Sequence, residues 1–374
     1  MRILFTGGGT GGHFYPIVAI VRETKRIIEE ERLLNSTLYY IGPNDFGHEI
    51  LKKEGVETIE IVSGKWRRYI SAKNFFDIFK IIAGVVKAFF VLFTMMPDVV
   101  FSKGGYGSIP VVCVAIIYRI PLIIHESDSV LGIVNSIASR FANRVAVSFE
   151  STVKLFPKKK SVGLVGYPVR RQILGGNRDV ANEEFSIFTK RLVVLVIGGS
   201  QGSEILNSTV ISAIKELTQE FEIIHQTGEV LFQDTKGEVG VILSRENLVF
   251  YHPYAFFNDR ALRNAYATAD IIISRAGAGS IFEIAAIGKP AILIPLKNSA
   301  QEHQKKNAYE YANCGAATVI EEENLTPNVF LNEIRKLASD ESRRKTMSER
   351  AALFAKVNAA EVIAKEILKM GLHL

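Results

Sequence analysis

Short apolar runs alternate with longer stretches of helical pattern from one end of the chain to the other. In the first half these runs predict strands at 2–6, 37–42, 56–61, 98–102, 121–125 and 144–148. In the second half they predict strands at 191–199, 221–226, 247–252, 269–275, 290–296 and 316–321. Regular strand–helix alternation is typical of parallel sheets covered by helices. The pattern therefore predicts an α/β protein made of doubly wound sheets.

The length of 374 residues favours two domains over one. A glycine-containing segment, "GLVGYPVRR" at 163–171, is the predicted hinge. We expect an N-terminal domain over 1–165 and a C-terminal domain over 166–351, with a last helix at about 352–374 packing back on the first. Cys113 and Cys314 lie far apart in apolar segments and are expected to be reduced core residues of a cytosolic protein.

One segment, 74–97, is nearly all apolar, but Lys80 and Lys87 interrupt it. The two charges make it fall short of a membrane span. It is either a buried helix of a large domain, or an interfacial helix that meets anionic lipid together with "KWRRY" at 65–69. Through residue 165 the chain has 21 Lys and Arg against 14 Asp and Glu, and the remainder has 24 against 25. The basic half indicates an anionic partner: nucleic acid, a membrane surface or a polyphosphate.

Four glycine-rich turns follow predicted strands: "GGGTGGH" (7–13), "SKGGYGSIP" (102–110), "GGSQGS" (198–203) and "SRAGAGSIFE" (274–283). Such a turn before a helix presents free N–H groups and the positive end of the helix dipole to an anion. We expect the four to ring a cleft between facing domains. Gly7, Gly9 and Gly12 match the dinucleotide fingerprint, but the second strand ends "YYIGP" without the ribose-binding acid. An NAD enzyme is therefore disfavoured, and no P-loop motif is present.

A set of motifs occurs in order over about 1–320: "GGTGGH", "KGGYGSIP", "GYPVR", "IGGSQGSEILN", "HQTG", "SRAGAGSIFEIAAIGKPAILIP" and "HQKKNA". In these motifs the chain resembles the MurG family, glycosyltransferase family 28, a group of peripheral membrane enzymes of bacterial peptidoglycan synthesis. The resemblance implies the GT-B fold, two Rossmann-like domains facing across a cleft. The first would bind mainly the acceptor, and the second mainly the nucleotide sugar.

The reaction that the resemblance implies is inverting, metal-independent transfer of N-acetylglucosamine from UDP-GlcNAc to the muramyl-pentapeptide of undecaprenyl-pyrophosphate lipid I, which forms lipid II. It would take place at the cytoplasmic face of the cell membrane, with 65–97 against an anionic surface. No cofactor and no nucleic acid are implied, and other cell-wall synthesis proteins are candidate partners.

The resemblance also assigns roles to individual residues. His13 is the candidate general base, and Glu126 is an alternative base or an electrostatic partner of the sugar. Arg170 would meet the donor phosphates, and Glu283 would bind the ribose. The other expected substrate contacts are Thr10, Gly11, Gly12, Asp128, Ser200, Gln201, Ala278, Gly279, Ser280, His303 and Gln304, and the expected acceptor loop contains Gly104, Gly105, Tyr106 and Ser108.

Simpler structural roles remain open for these residues. His13 could cap a helix, Arg170 could be a surface charge at the hinge, and Glu283 could favour the dipole of a helix in whose first turn we expect it. The family's His-Glu-Gln-Asn is here His-Glu-Ser-Asp, ending at Asp128, and one of its paired glutamines is His303. These departures fall at sugar and acceptor contacts.

Other functions stay open as well. A related transferase acting on diacylglycerol or another lipid is the nearest rival. A UDP-GlcNAc 2-epimerase of the same fold and a non-catalytic nucleotide-sugar-binding protein are the others.

Overall fold

The computed structural model describes residues 1–8, 11–33, 35–43, 47–64, 72–199 and 202–373, with residues 11 and 72–76 through the backbone alone. The chain divides into two compact units. Unit 1 contains 1–170 and 356–374, and unit 2 contains 171–355.

Unit 1 is built on a parallel sheet of seven strands among the described residues. The strands are β1 (Arg2–Thr6), β2 (Thr37–Gly42), β3 (Glu57–Glu60), β4 (Val99–Ser102), β5 (Leu122–Glu126), β6 (Arg144–Val147) and β7 (Val162–Leu164). Their spatial order is β3-β2-β1-β4-β5-β6-β7. β1, β4 and β5 are fully buried or nearly so, because apolar side chains cover both faces of the sheet.

Within the described part of unit 1, six helices lie before the chain enters unit 2. They are α1 (Gly11–Glu30), α2 (His48–Lys53), α3 (Ala72–Met95), α4 (Ile109–Ile117), α5 (Ile133–Ala138) and α6 (Glu150–Val153). A 3₁₀ turn at Tyr106–Ser108 precedes α4. The helices cover the two faces of the sheet with separate apolar clusters, one formed with α1 and the other with α3 and α4.

Unit 2 repeats this plan with a six-stranded parallel sheet. Its strands are β8 (Val193–Ile197), β9 (Glu222–Gln226), β10 (Tyr251–Tyr254), β11 (Ile271–Ser274), β12 (Ala291–Leu293) and β13 (Ala317–Val319), in the order β10-β9-β8-β11-β12-β13. Its helices are α7 (Arg178–Glu184), α8 (Glu204–Ser212), α9 (Ile214–Glu220), α10 (Phe232–Ile242), α11 (Arg245–Leu248), α12 (Asp259–Thr268), α13 (Ala278–Ile287), α14 (His303–Asn313), α15 (Pro327–Ser339) and α16 (Glu341–Phe354).

The chain returns to unit 1 with its last helix, α17 (Ala359–Gly371). The buried Ala360, Ala364 and Ile367 of α17 belong to the same apolar cluster as α1. Glu366 of α17 also forms an ion pair with Arg144, with 2.7 Å between Nε of Arg144 and Oε1 of Glu366. The last helix, predicted at about 352–374, is Ala359–Gly371, because the chain is non-helical between α16 and α17.

Both sheets are doubly wound, so each has a point where the strand order reverses. In unit 1 this point lies between β1 and β4, and in unit 2 it lies between β8 and β11. Ligands of open α/β sheets bind outside the carboxyl ends of the strands at this point. Each of the four glycine-rich turns follows one of these four strands.

Helix α3 is not the buried helix that the apolar pattern permits. Ala88, Leu92 and Met95 pack into unit 1, whereas Phe90 and Phe93 are 65% and 64% exposed. By length and composition alone Asp77–Met95 could cross a membrane, contrary to our expectation, and 22% of that stretch is buried. One side of α3 is thus part of a folded core and the other is an apolar surface.

The two cysteines are also placed differently from the prediction. Cys113 lies on α4 and Cys314 directly follows α14, and both are exposed and form no disulfide. They are not core residues, because each falls on the solvent side of an otherwise apolar stretch.

Candidate active site

The two glycine-rich turns of unit 1 pack against each other at its switch point. Gly8, after β1, and Gly104 and Gly105, after β4, all have positive φ, which side chains rarely adopt. A Cβ atom at Gly105 would lie 2.9 Å from the carbonyl oxygen of Gly8. Only glycine allows these two turns to approach so closely.

His13 lies beside this pair of turns. It is the third residue of α1, and the position of a Cβ on Gly105 is 3.4 Å from its Cδ2. The hydroxyl of Tyr167 donates a hydrogen bond of 3.2 Å to the carbonyl of Gly12. The fold therefore brings the candidate base, the start of α1 and the predicted acceptor loop together, while Thr10 lies outside the described residues.

Glu126, at the end of β5, organises the loop that follows it. Oε1 accepts from the N–H groups of Ser127 (2.9 Å) and Asp128 (3.3 Å), and Oε2 accepts from Gly132 N (3.0 Å) and Asn135 Nδ2 (3.0 Å). Burial and the nearby Asp128 raise the pKa of this carboxyl. Both oxygens are engaged in holding the loop, which is the geometry of a positioning carboxylate.

Asn135 of α5 joins that loop to the acceptor loop. Its Nδ2 also donates to the carbonyl of His125, and its amide fills the space where a Cβ on Gly104 would be. His125 is fully buried, and its Nε2 donates to the carbonyl of Gly166 over 3.0 Å. Burial and the neighbouring Lys103 hold the pKa of His125 well below its usual range, so it is a neutral structural histidine.

Arg170, the last residue of unit 1, is buried. Its guanidinium lies over the ring of Tyr15 of α1, 4.3 Å from the ring centroid. An exposed hinge charge is therefore the wrong description of Arg170. The cation–π contact holds it near the first turns of α1.

In unit 2, the turn after β8 is fixed by side chains from neighbouring elements. Gln226 of β9 donates from Nε2 to the carbonyl of Gly199 over 3.0 Å. Asn207 of α8 donates to the carbonyl of Thr227 over 2.9 Å and accepts from Nε2 of the buried His225 over 3.1 Å. Ser200 and Gln201, the predicted contacts within this turn, lie outside the described residues.

The turn after β11 leads directly into α13, which begins at Ala278. Gly279 and Ser280 follow in its first turn, where backbone N–H groups have no partner within the helix. Glu283 is the sixth residue of α13, so our expectation of a first-turn position is wrong and the helix dipole gives little reason for it. Its Oε2 instead accepts from the hydroxyl of Tyr266 over 3.1 Å.

His303 and Gln304 begin α14. Gln301 and Glu302, just before them, both have left-handed φ angles of 56° and 55°. Non-glycine residues hold this conformation at a cost, and such strain clusters at binding sites. Gln304 Oε1 accepts from the N–H of Leu296 over 3.0 Å, which ties α14 to the loop after β12.

Arg275, which the sequence did not single out, is buried at the end of β11. It donates to Ser203 Oγ over 2.6 Å and pairs with Glu322 Oε1 over 3.3 Å. Its partner Glu322 lines a cavity of about 460 Å³, together with Ile205, Leu296, Lys297, Asn298 and Glu323. Within the described ranges, no three His, Cys, Asp or Glu side chains are grouped to hold a metal ion.

Comparisons with known proteins agree in both halves of the chain. A model of the glycosyltransferase family 28 N-terminal domain matches residues 3–147, and one of the corresponding C-terminal domain matches 193–367. The UDP-N-acetylglucosamine–N-acetylmuramyl-(pentapeptide) pyrophosphoryl-undecaprenol N-acetylglucosamine transferase of Clostridium tetani is 37% identical over 338 residues, covering 90% of this chain and 89% of that protein.

Solved structures give the same picture of the fold. The crystal structure of Acinetobacter baumannii MurG matches with a TM-score of 0.74 and 26% identity, covering 98% of this chain and 99% of that one. A UDP-GlcNAc 2-epimerase from Neisseria meningitidis matches with a TM-score of 0.65 over 99% of this chain and 100% of its own, but at 13% identity it shares the fold alone. The predicted GT-B architecture is confirmed.

Proposed function

This chain belongs to glycosyltransferase family 28, and we propose that it transfers N-acetylglucosamine from UDP-GlcNAc to the muramyl-pentapeptide carried on undecaprenyl pyrophosphate. The product is lipid II, the disaccharide precursor of peptidoglycan. The observation that carries the proposal is the 37% identity to the Clostridium tetani transferase over nine-tenths of the chain. The packing of Gly105 against His13 supports it independently, because it joins an anion-binding turn to a candidate base.

The proposed mechanism is a single displacement with inversion. His13 removes the proton of the acceptor hydroxyl as its oxygen bonds to the anomeric carbon. The bond from that carbon to the diphosphate oxygen breaks, and its electron pair leaves with UDP. A positioned base of this kind contributes about 10²–10⁴-fold to the rate. Glu126 supports the reaction by holding the loop after β5, since both of its oxygens are engaged there.

Unit 2 is the proposed donor-binding unit. The N–H groups at Ala278, Gly279 and Ser280 and the positive end of α13 suit the charge on the diphosphate as UDP leaves. Arg170, the last residue of unit 1, is assigned to the donor phosphates from the family resemblance. Glu283 is assigned to the ribose hydroxyls. The sugar is assigned to His303, Gln304 and Asp128. The phosphates are assigned to Ser200 and Gln201. No metal is required by this arrangement, since fixed dipoles and an arginine stabilise the leaving group.

Membrane association is the second part of the proposal. The side of α3 that carries Phe79, Ile82, Phe90 and Phe93 is exposed, and large apolar patches of this kind mark interaction surfaces. The acceptor is a membrane lipid, and the half of the chain that contains α3 is basic. We assign this surface to the cytoplasmic leaflet of an anionic membrane, where aromatic side chains enter the interface and lysines stay at the head groups. The predicted basic segment 65–69 lies outside the described residues.

Product analysis tests the proposed reaction. The purified chain is incubated with radiolabelled UDP-GlcNAc and a short-chain lipid I analogue, and the lipid product is identified by mass. The expected result is one added N-acetylhexosamine on lipid I. Parallel reactions contain diacylglycerol or no acceptor. Label on diacylglycerol alone would make the chain a glycolipid synthase, and sugar conversion without acceptor would make it an epimerase.

A further inference from the structure

Lys103 is a buried lysine that the proposed mechanism does not use. It directly follows β4, inside the predicted motif "SKGGYGSIP", and it is among the largest fully buried side chains of the protein. Its stem packs under the first glycine-rich turn, where a Cβ on Gly7 would lie 3.0 Å from its own Cβ. A buried lysine is costly to keep charged, so its retention at this place calls for a reason.

The ammonium group of Lys103 lies among side chains from two segments, the loop after β5 and the segment that contains Tyr167. It donates a short hydrogen bond to Ser127 Oγ, and it lies 5.8 Å from the ring centroid of Tyr167. The carboxylates of Glu126 and Asp128 attract the ammonium and raise its pKa. The charge of Lys103 in turn lowers the pKa of the nearby imidazole of His125. Ser127 stands at the position where the family usually has glutamine.

These contacts connect the parts of the candidate site in unit 1. Through Ser127, Lys103 holds the loop after β5, which Glu126 organises and Asn135 joins to Gly104. Tyr167, next to the ammonium, is hydrogen-bonded to the start of α1 beside His13. Lys103 is therefore at the centre of the network that holds the acceptor loop and the candidate base.

The positive charge of Lys103 bears on how an anionic acceptor binds. Glu126 and Asp128 are two carboxylates beside a loop that we assign to a diphosphate-bearing acceptor. We propose that Lys103 is a positioning residue for that acceptor: its ammonium fixes the loop after β5 against the acceptor loop and offsets the two carboxylates, so that an anionic acceptor binds beside them. This inference rests on the proposed function.

The ionisation of Lys103 makes the role measurable. Burial lowers the pKa of Lys103 to about 8, against the attraction of Glu126 and Asp128, which raises it. The charge is thus present at neutral pH and is lost as pH rises through about 8. Acceptor use is expected to decline over the same range, while donor binding in unit 2 is not.

The experiment measures kcat/KM for a short-chain lipid I analogue and KM for UDP-GlcNAc between pH 6.5 and 9.5. It compares the full-length wild type with Lys103→Met, Lys103→Arg and, as a control on the exposed end of α2, Lys53→Met. Lys103→Met is expected to lower acceptor kcat/KM about tenfold at pH 7 and to abolish its decline above pH 8, because it removes a positive charge that favours an anionic acceptor. Lys103→Arg keeps the value at pH 7 and also abolishes the decline, because arginine does not titrate there.

A purely structural role predicts something else: a lower melting temperature in Lys103→Met and equal losses for both substrates. That result would overturn the inference, as would a wild type whose acceptor kcat/KM does not decline above pH 8. If the Lys103 variants fail to fold, Ser127→Ala serves, since loss of the hydrogen bond should move the decline to lower pH.

Binding of inorganic diphosphate to protein saturated with UDP, which occupies the proposed donor site, separates this inference from the proposed function when it is followed by calorimetry over the same pH range. Wild-type binding that weakens above pH 8 and is weaker in Lys103→Met supports the role of Lys103 even if lipid I proves not to be the acceptor. Diphosphate binding that is identical in wild type and Lys103→Met across the range would refute it.

Discussion

The imidazole of His13 lies beside the backbone of Gly105: a Cβ there would be in ordinary van der Waals contact with the ring, 3.4 Å from Cδ2 and 3.5 Å from Cγ. The same Cβ would be 2.9 Å from the carbonyl oxygen of Gly8. The two glycine-rich turns of unit 1 therefore keep this packing beside the candidate base only while residue 105 has no side chain, because a Cβ would be too close to the carbonyl oxygen of Gly8.

Gly105→Ala is expected to lower kcat by about 10- to 100-fold, because small displacements of a catalytic group have effects of that size. Steady-state kinetics with the lipid I analogue measure it. Gly175→Ala is the matched control: Gly175 also has a positive φ, 69°, but no atom lies within 4 Å of its Cβ position. Both variants should lose about 1 kcal/mol of stability from backbone strain. Gly105→Ala should lose more than that, because its Cβ would also meet the carbonyl oxygen of Gly8, and only Gly105→Ala should lose activity. Equal activity in the two would contradict the packing argument.

Glu283→Gln is expected to raise KM for UDP-GlcNAc about tenfold, because a hydrogen bond from a ribose hydroxyl to a carboxylate is stronger than one to an amide. The acceptor KM should stay within twofold. Tyr266→Phe is the control, since it removes the 3.1 Å hydrogen bond to Oε2 and leaves the charge. An unchanged donor KM in Glu283→Gln would remove the ribose assignment.

His225 makes the stability of unit 2 depend on pH in the acidic range. Burial lowers its pKa to about 3, whereas an unfolded histidine titrates near 6.5. Between those two pH values the unfolded chain binds the extra proton, so the free energy of unfolding should fall as pH drops, by up to ~1.4 kcal/mol per pH unit.

The variant His225→Gln tests this dependence through urea unfolding at pH 4 to 7. It should be less stable than wild type at pH 7, because the hydrogen bonds to Asn207 and Tyr251 are altered, and its stability should vary less with pH. Parallel pH curves for the two proteins would show that His225 is not the titrating group.

Phe90→Ser with Phe93→Ser is expected to weaken binding to phosphatidylglycerol vesicles about 100-fold, since each exposed phenylalanine contributes ~1–2 kcal/mol when it enters an apolar phase. Vesicle sedimentation measures it. Phe188→Ser is the control, because Phe188 is 80% exposed in unit 2. Vesicle binding that is equally weakened by Phe188→Ser, or unaffected by the α3 changes, would count against the α3 surface.

The sequence predicted strands best where they are buried in the middle of a sheet. The strands predicted at 2–6 and 37–42 have those bounds in the structure. The prediction at 247–252 is wrong, because the first part of that apolar run is α11 and the strand is Tyr251–Tyr254. Pro253 lies within it, which is tolerated because β10 is an edge strand. The predicted hinge, 163–171, overlaps the edge strand β7 (Val162–Leu164), because the glycine at 163 is more typical of a loop than of a strand.

For the site, ordered motifs were enough to bring out the glycine-rich turns and His13, but not the buried network behind them. Lys103 lies in the motif "SKGGYGSIP", but no linear pattern indicates that its ammonium is buried beside Ser127. The same limit applies to α3: composition shows that it is apolar but not which of its sides the core covers. Such features depend on contacts between segments that are distant in the chain.

Release of UDP is the most direct test of the central claim, transfer to a lipid-linked acceptor with His13 as base. It is measured for wild type and His13→Ala with UDP-GlcNAc in the presence of EDTA, with and without the lipid I analogue. We predict release that requires the acceptor, resists EDTA and falls at least 100-fold in His13→Ala. Release that proceeds equally without acceptor, or that His13→Ala leaves unchanged, would contradict the account.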